Sequence, residues 1–194
     1  MRLVYFITHP DVVINPAIPP SKWPLSQQGQ ERMRRLPTRP EMNNISSIYC
    51  STEQKAVAGA EILARSLSIN YQKIAELSEV DRSSTGYLLL DELRTTIDMF
   101  FTNPDQSSRG WETANHAQRR IVGAVEAAIR SDKRTQDMAI VSHGLVGTLY
   151  LCHLKGVQIS QQERQPGKNG GHFYCFDTQS RLLLHGWKSI ESEW

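Results

Sequence analysis

Cysteine is scarce in this chain, three among 194 residues. Cys50, Cys152 and Cys175 lie too far apart for a disulfide framework or a zinc site, and they read as small buried hydrophobes of a cytoplasmic protein. Long apolar runs are missing as well. The first extends only from Leu3 to Ile7, too short for the apolar stretch of a signal peptide, and nothing approaches the roughly 20 apolar residues of a membrane span. No membrane partner is therefore expected. Nor is the charge of one sign: 22 Lys and Arg against 20 Asp and Glu leave a net +2. Only Arg32, Arg34 and Arg35 stand close together, as on a solvated helix face, so nucleic acid is not an expected partner either. Repeats, low-complexity stretches and linkers are absent too, and residues 1–194 are expected to form one domain around one core.

What is present is an alternation of short apolar runs with helical patterns. Strand-like runs fall at Leu3–Ile7, Ser47–Cys50, Tyr71–Ile74, Ala139–Ser142, Phe173–Phe176 and Leu182–Trp187. Between them, Thr52–Leu67 keeps Ala56, Ala60, Leu63 and Leu67 at helical spacing, and Ser51-Thr52-Glu53-Gln54 reads as a capping box. Thr113–Arg130 repeats the pattern with Ile121, Val125, Ala128 and Ile129, and Leu145, Leu149 and Cys152 mark a further helix. Strands alternating with helices predict an α/β three-layer sandwich, a mostly parallel sheet with helices on both faces. The last two strand runs have no helix between them, which predicts an antiparallel edge. Four prolines between Asn15 and Pro24 exclude a helix or a central strand there and leave a long loop of the kind that rims a site.

Two histidines close apolar strands. Leu3–Ile7 runs into Thr8-His9-Pro10, and Met138–Ser142 runs into His143-Gly144. In an open α/β sheet the carboxyl ends of the strands form the ligand crevice, so these imidazoles point to a site. His116, His153, His172 and His185 carry no such context and are given no role. No ligand cluster for a metal is found.

The order of these features resembles the histidine phosphatase superfamily, the phosphoglycerate mutase-like proteins. Thr8-His9-Pro10 stands at the family's Arg-His-Gly strand end, Asn15 at its asparagine, and Pro24-Leu25-Ser26-Gln27-Gln28-Gly29 at its Pro-Leu-Thr-x-x-Gly. Cys50-Ser51-Thr52-Glu53-Gln54-Lys55-Ala56 is similar to Ser-Ser-Pro-x-x-Arg-Ala, and Leu77-Ser78-Glu79 to Leu-x-Glu. Gly110-Trp111-Glu112-Thr113 resembles the Gly-Glu-Ser region shifted by one residue. Val141-Ser142-His143-Gly144 is similar to the second histidine signature.

The resemblance implies a phosphoglycerate mutase-like fold and hydrolysis of small-molecule or protein phosphomonoesters through a phosphohistidine on His9, without cofactor or metal. His9, Glu79 and His143 would be catalytic. Thr8, Asn15, Lys55 and His143 would bind the phosphoryl group. The residue types suit the chemistry: a neutral imidazole can hold a phosphoryl group covalently, fixed charges stabilise its equatorial oxygens, and a carboxylic acid protonates the leaving alcohol. Three positions depart from the pattern. Thr8 and Lys55 replace two arginines, and lysine lacks the bidentate guanidinium fork. Pro10 replaces glycine and removes a backbone N–H. These departures leave a second reading open, a phosphoester-binding or regulatory protein with little turnover, unless a basic residue such as Arg82 compensates. The loop from Asn15 to Pro24 and the segment from Ser83 to Gly110 are expected to shape specificity.

Overall fold

The computed structural model describes residues 1–192. Six strands, β1 (Leu3–Thr8), β2 (Ile45–Cys50), β3 (Tyr71–Lys73), β4 (Asp137–Ser142), β5 (His172–Asp177) and β6 (Leu183–Ser189), form one sheet in the order β3-β2-β4-β1-β5-β6. β4 lies parallel between β1 and β2, and β2 is parallel to β3. β5 and β6 run antiparallel, as the helix-free connection between them predicts.

Side chains alternate across the strands, and this alternation divides the core. Tyr5, Ile7, Ile48, Cys50, Ala139 and Val141 face α1 (Gln27–Arg35) and α2 (Gln54–Leu67), meeting Met33, Ala56, Ala60 and Leu63. Val4, Phe6, Met138 and Ile140 face the other way, onto Phe100, Ile121, Val125, Val146 and Leu149 of α3 (Leu90–Thr102), α4 (Ala114–Ser131) and α5 (Gly144–Lys155). The arrangement is the three-layer sandwich that the sequence predicts. Cys50, Cys152 and Cys175 are free and buried. Burial pushes the thiols of Cys50 and Cys175 up to about 12, so both stay protonated and inert.

Three local expectations are corrected. The capping box at Ser51 does not form: α2 begins at Gln54, two residues later than expected, and its N-cap Glu53 makes no side-chain cap. The Ser51 hydroxyl is taken up by the Glu53 backbone N–H, His143 and Ser78 instead. α3 lies in a segment for which no helix was expected, although Leu93, Ile97, Phe100 and Phe101 carry helical spacing. Arg32 is also no solvated charge. It reaches Asp11 at 2.6 Å, the carbonyls of Asn169 and Gly170, and Glu191.

The loop after β1 is fixed from both sides. Residues 11–26 contain a single 3₁₀ turn at Pro20–Lys22 and a bridge between Val12 and Leu25. Asp11 O accepts the Ser26 N–H at 2.9 Å, and a Cβ at Gly29 would lie 2.1 Å from that same oxygen. Glycine is required because α1 sits directly on this backbone. Gly29→Ala should therefore lower stability by about 1–3 kcal/mol through overpacking. A thermal melt unchanged from wild type would show that the loop does not rest on α1 as described.

Candidate active site

The register of β1 on β4 sets Thr8 opposite Ser142, so the next residues of the two strands, His9 and His143, emerge side by side. Their rings meet edge to face with centroids 5.2 Å apart. Backbone bonds hold His9 on both sides: its N–H donates to Ser142 O at 3.1 Å, and its carbonyl accepts from Gly171 N at 3.1 Å. Gly170, at φ +60°, permits this close approach, since a Cβ there would lie 2.1 Å from His9 O.

The hydrogen bond of each ring decides its chemistry. His9 Nδ1 lies 2.8 Å from Pro10 O. A carbonyl only accepts, so Nδ1 carries the proton and Nε2 keeps its lone pair. His143 is fully buried. Its Nε2 is 2.8 Å from Ser51 Oγ, and among the described residues its Nδ1 has no partner. Burial holds both imidazoles well below the usual histidine range. His143 and Lys55 reinforce this for His9, and Lys55, Arg82 and Arg120 do so for His143. Both rings are thus neutral near pH 7, as a nucleophilic imidazole must be.

Glu79 anchors the opposite wall. Its carboxylate accepts from Val80 N at 3.0 Å and from Leu145 N and Val146 N at 3.1 Å, at the first turn of α5. Burial pushes its carboxyl above the usual range. Arg82 opposes that rise, and the Glu53 carboxylate adds to it. The backbone around it is held by Arg120, which donates to the carbonyls of Glu76, Ser78 and Glu79 and forms a two-point pair with Glu112. Burial disfavours charge on Glu112, but the Arg120 bonds outweigh it and hold that carboxyl below its usual range.

His9, Glu79 and Arg82 line one cavity of about 370 Å³ together with Gly144, Leu145, Arg164, Gln165 and Lys168. Arg82, the basic residue considered as a substitute for the missing arginines, is therefore in the site. Gln165 was not foreseen. Its Nε2 would lie 2.6 Å from a Cβ at Gly144, and its Oε1 accepts the Thr8 hydroxyl at 2.7 Å. A second cavity shares Glu79 and Arg82 and is bounded by Pro16–Ser21, Thr52, Glu53 and Tyr87.

Three expected phosphate ligands are placed differently. Thr8 is 1% exposed, and its hydroxyl is consumed by Gln165 and the His172 backbone. Asn15 is exposed, and its Oδ1 accepts Ala17 N, bracing the proline loop. Lys55 is buried with Nζ on Glu53 Oε2 at 2.5 Å and on Pro20 O at 2.8 Å. None of the three lines either cavity, and neither does His143, the fourth expected phosphate ligand. Glu53, which the sequence did not single out, also accepts the Glu79 N–H at 2.8 Å and lies 3.6 Å from His143 Nε2. No group of three or more His, Cys, Asp or Glu side chains suited to a metal occurs among the described residues.

The family model for the histidine phosphatase superfamily (branch 1) matches residues 15–180. This chain belongs to that superfamily. Solved structures of the same fold include YhfR of Bacillus stearothermophilus, 21% identical with TM-score 0.80 over 96% of this chain and 95% of that one. A phosphoserine phosphatase variant from Entamoeba histolytica in complex with phosphoserine is 14% identical with TM-score 0.80, covering 98% of each chain. A mycobacterial glucosyl-3-phosphoglycerate phosphatase is 13% identical with TM-score 0.76, covering 97% of this chain and 96% of that one. No curated protein sequence matches the chain. Among the described residues no helix is long and apolar enough to cross a membrane.

The two charges around Glu79 give predictions of opposite sign. Glu53→Gln removes a negative neighbour and should lower the Glu79 pKa, whereas Arg82→Gln removes a positive one and should raise it. ¹³C-carboxyl NMR titration of Glu79 checks both, and shifts of the same sign would contradict the arrangement. Glu53→Gln also leaves Lys55 buried without its counter-charge, so stability should fall by about 3–5 kcal/mol.

Proposed function

We propose that this chain hydrolyses phosphomonoesters through a phosphoryl group held on His9 Nε2. The observation that carries the reading is the Nδ1 bond to Pro10 O, which leaves Nε2 unprotonated inside a cavity shared with the raised-pKa carboxyl of Glu79. In the first step the Nε2 lone pair attacks phosphorus, the bond from phosphorus to the alcohol oxygen breaks, and Glu79 gives its proton to that oxygen. Water then attacks phosphorus and passes a proton to Glu79 as the P–N bond breaks, releasing inorganic phosphate. Arg82, the Gln165 amide and the N-terminus of α5 at Gly144 supply the stabilisation of phosphoryl charge, while His143, bonded through Nε2 to Ser51 Oγ, packs edge-on against the His9 ring and positions it. Thr8, Asn15 and Lys55 support the site indirectly, through Gln165, the proline loop and Glu53.

A second reading, binding of phosphoesters without turnover, is favoured by one observation: Lys55, at a family arginine position, is already neutralised by Glu53. We place hydrolysis ahead because Arg82 brings a cation to the cavity from another position. Residues 1–194 are read as one domain, since β1 and β6 belong to a single sheet. The three unpaired buried cysteines support a cytoplasmic location.

Exposure to 4-nitrophenyl phosphate followed by an alkaline quench should yield a phosphoryl adduct on His9 that survives base and is lost in acid. His9→Ala should reduce turnover to below about a thousandth of wild type. Full turnover in His9→Ala would refute the covalent route. Phosphate binding without adduct or turnover in the wild type would establish the second reading.

A further inference from the structure

The cavity that holds His9 is larger and more divided than a phosphoryl group needs. At about 370 Å³ it falls in the range that encloses a whole small-molecule ligand. Its lining separates into two kinds of surface. Ile14, Leu90, Leu93, Ile97 and Leu145 form an apolar wall, supplied by the loop after β1, by α3 and by the start of α5. Arg164 and Lys168, on the segment leading into β5, form a basic one, and Arg94 on α3, paired with Asp91, lines the cavity beside the apolar wall.

Leu93, Ile97 and Leu145 also pack into the core, but at the rim both surfaces lack a partner within the described residues. Ile14 is 58% exposed and Leu90 52%, so exposed apolar side chains stand on one side of the opening. Large apolar side chains gathered around a cavity mark a place where a ligand covers them. On the basic side, Arg164 and Lys168 are exposed and have no ion-pair partner among the described residues. The nearby carboxylates are committed elsewhere, Asp11 to Arg32 and Glu79 to the α5 backbone. Arg82, whose charge acts on Glu79, is already assigned to the phosphoryl end. Arg164 and Lys168 are thus surplus to one phosphate.

We propose that the substrate is an amphiphilic phosphoester, whose alcohol part carries an apolar body packed on Ile14, Leu90 and Leu93 and a second anionic group, a carboxylate or another phosphate, held by Arg164 and Lys168. This rests on the hydrolase reading for the phosphoryl end and adds the class of alcohol. Pure sugar phosphates would leave the apolar wall wet, and simple alkyl phosphates would leave the cations unmatched.

The test compares 3-carboxyphenyl phosphate with its neutral isostere 3-carbamoylphenyl phosphate, and both with 2-carboxyethyl phosphate, which lacks the apolar body. We expect kcat/KM at least tenfold higher for the carboxylate than for the amide, and a further aryl-over-alkyl advantage beyond that of the better phenol leaving group, read as the part of it that a change in the apolar wall removes. The double variant Arg164→Gln, Lys168→Gln should shrink the first ratio to within about twofold, and Leu90→Ser should shrink the second. Both variants are at exposed positions, and thermal melts check their folding. Calorimetry with the matching 3-carboxybenzyl and 3-carbamoylbenzyl phosphonates separates this proposal from the hydrolase reading. If no ester is turned over but the carboxylated phosphonate binds preferentially, the hydrolase reading falls and the substrate class stands. If esters are turned over without preference, or the preference survives the double variant, the substrate class is overturned and the hydrolase reading stands. Neither turnover nor phosphonate binding would overturn both.

Discussion

The parallel pairing of β1 with β4 is the constraint on which the site depends. Thr8 lies opposite Ser142, and the His9 N–H closes the last rung on Ser142 O. Side-chain direction alternates at every residue of a strand, so a slip of one residue would turn the pairing inside out. Buried faces prevent that slip: Tyr5 and Ile7 pack towards α1 and α2, while Val4 and Phe6 pack towards α4 and α5. The register that completes the core is the same register that brings the two imidazoles together. Fold stability and site geometry are therefore one property of these two strands.

Burial then sets the electrostatics. The enclosure that holds both histidines neutral also raises Glu79, giving the base and the acid opposite shifts from a common cause. Charges that remain buried are paired. Lys55 with Glu53 forms a closed unit against Pro20 O, and Arg120 with Glu112 fastens the backbone beneath Glu79. The chain has kept a cation at the Lys55 position and met its charge internally, while Arg82 brings a guanidinium to the cavity from a different position.

The layers and the antiparallel edge were legible because buried strands read as continuous apolar runs. The positions of His9 and His143 were legible because each directly follows such a run. Side-chain direction was not. Lys55 lies on the expected helix, but its partner Glu53 is only two residues away, and residues so spaced do not face each other within a helix. They meet because Glu53 is the N-cap, with extended backbone at φ −72°, ψ 140°. Gln165 reaches Thr8 across 157 positions, and Arg120 reaches Ser78 across 42. Neither leaves a local signal. The apolar spacing of α3 was present in the sequence and Asn103-Pro104 closes it, but its N-cap is Leu89, which has no side-chain oxygen to mark the start.

The central claim is that His9 is held as the neutral imidazole with its proton on Nδ1 and a free lone pair on Nε2. ¹⁵N NMR of the histidine rings in the ligand-free protein at neutral pH tests this directly. The account predicts a protonated Nδ1 and an unprotonated Nε2 for His9, with Nε2 moving most when orthovanadate is added. A proton on Nε2, or an imidazolium at pH 7, would contradict it.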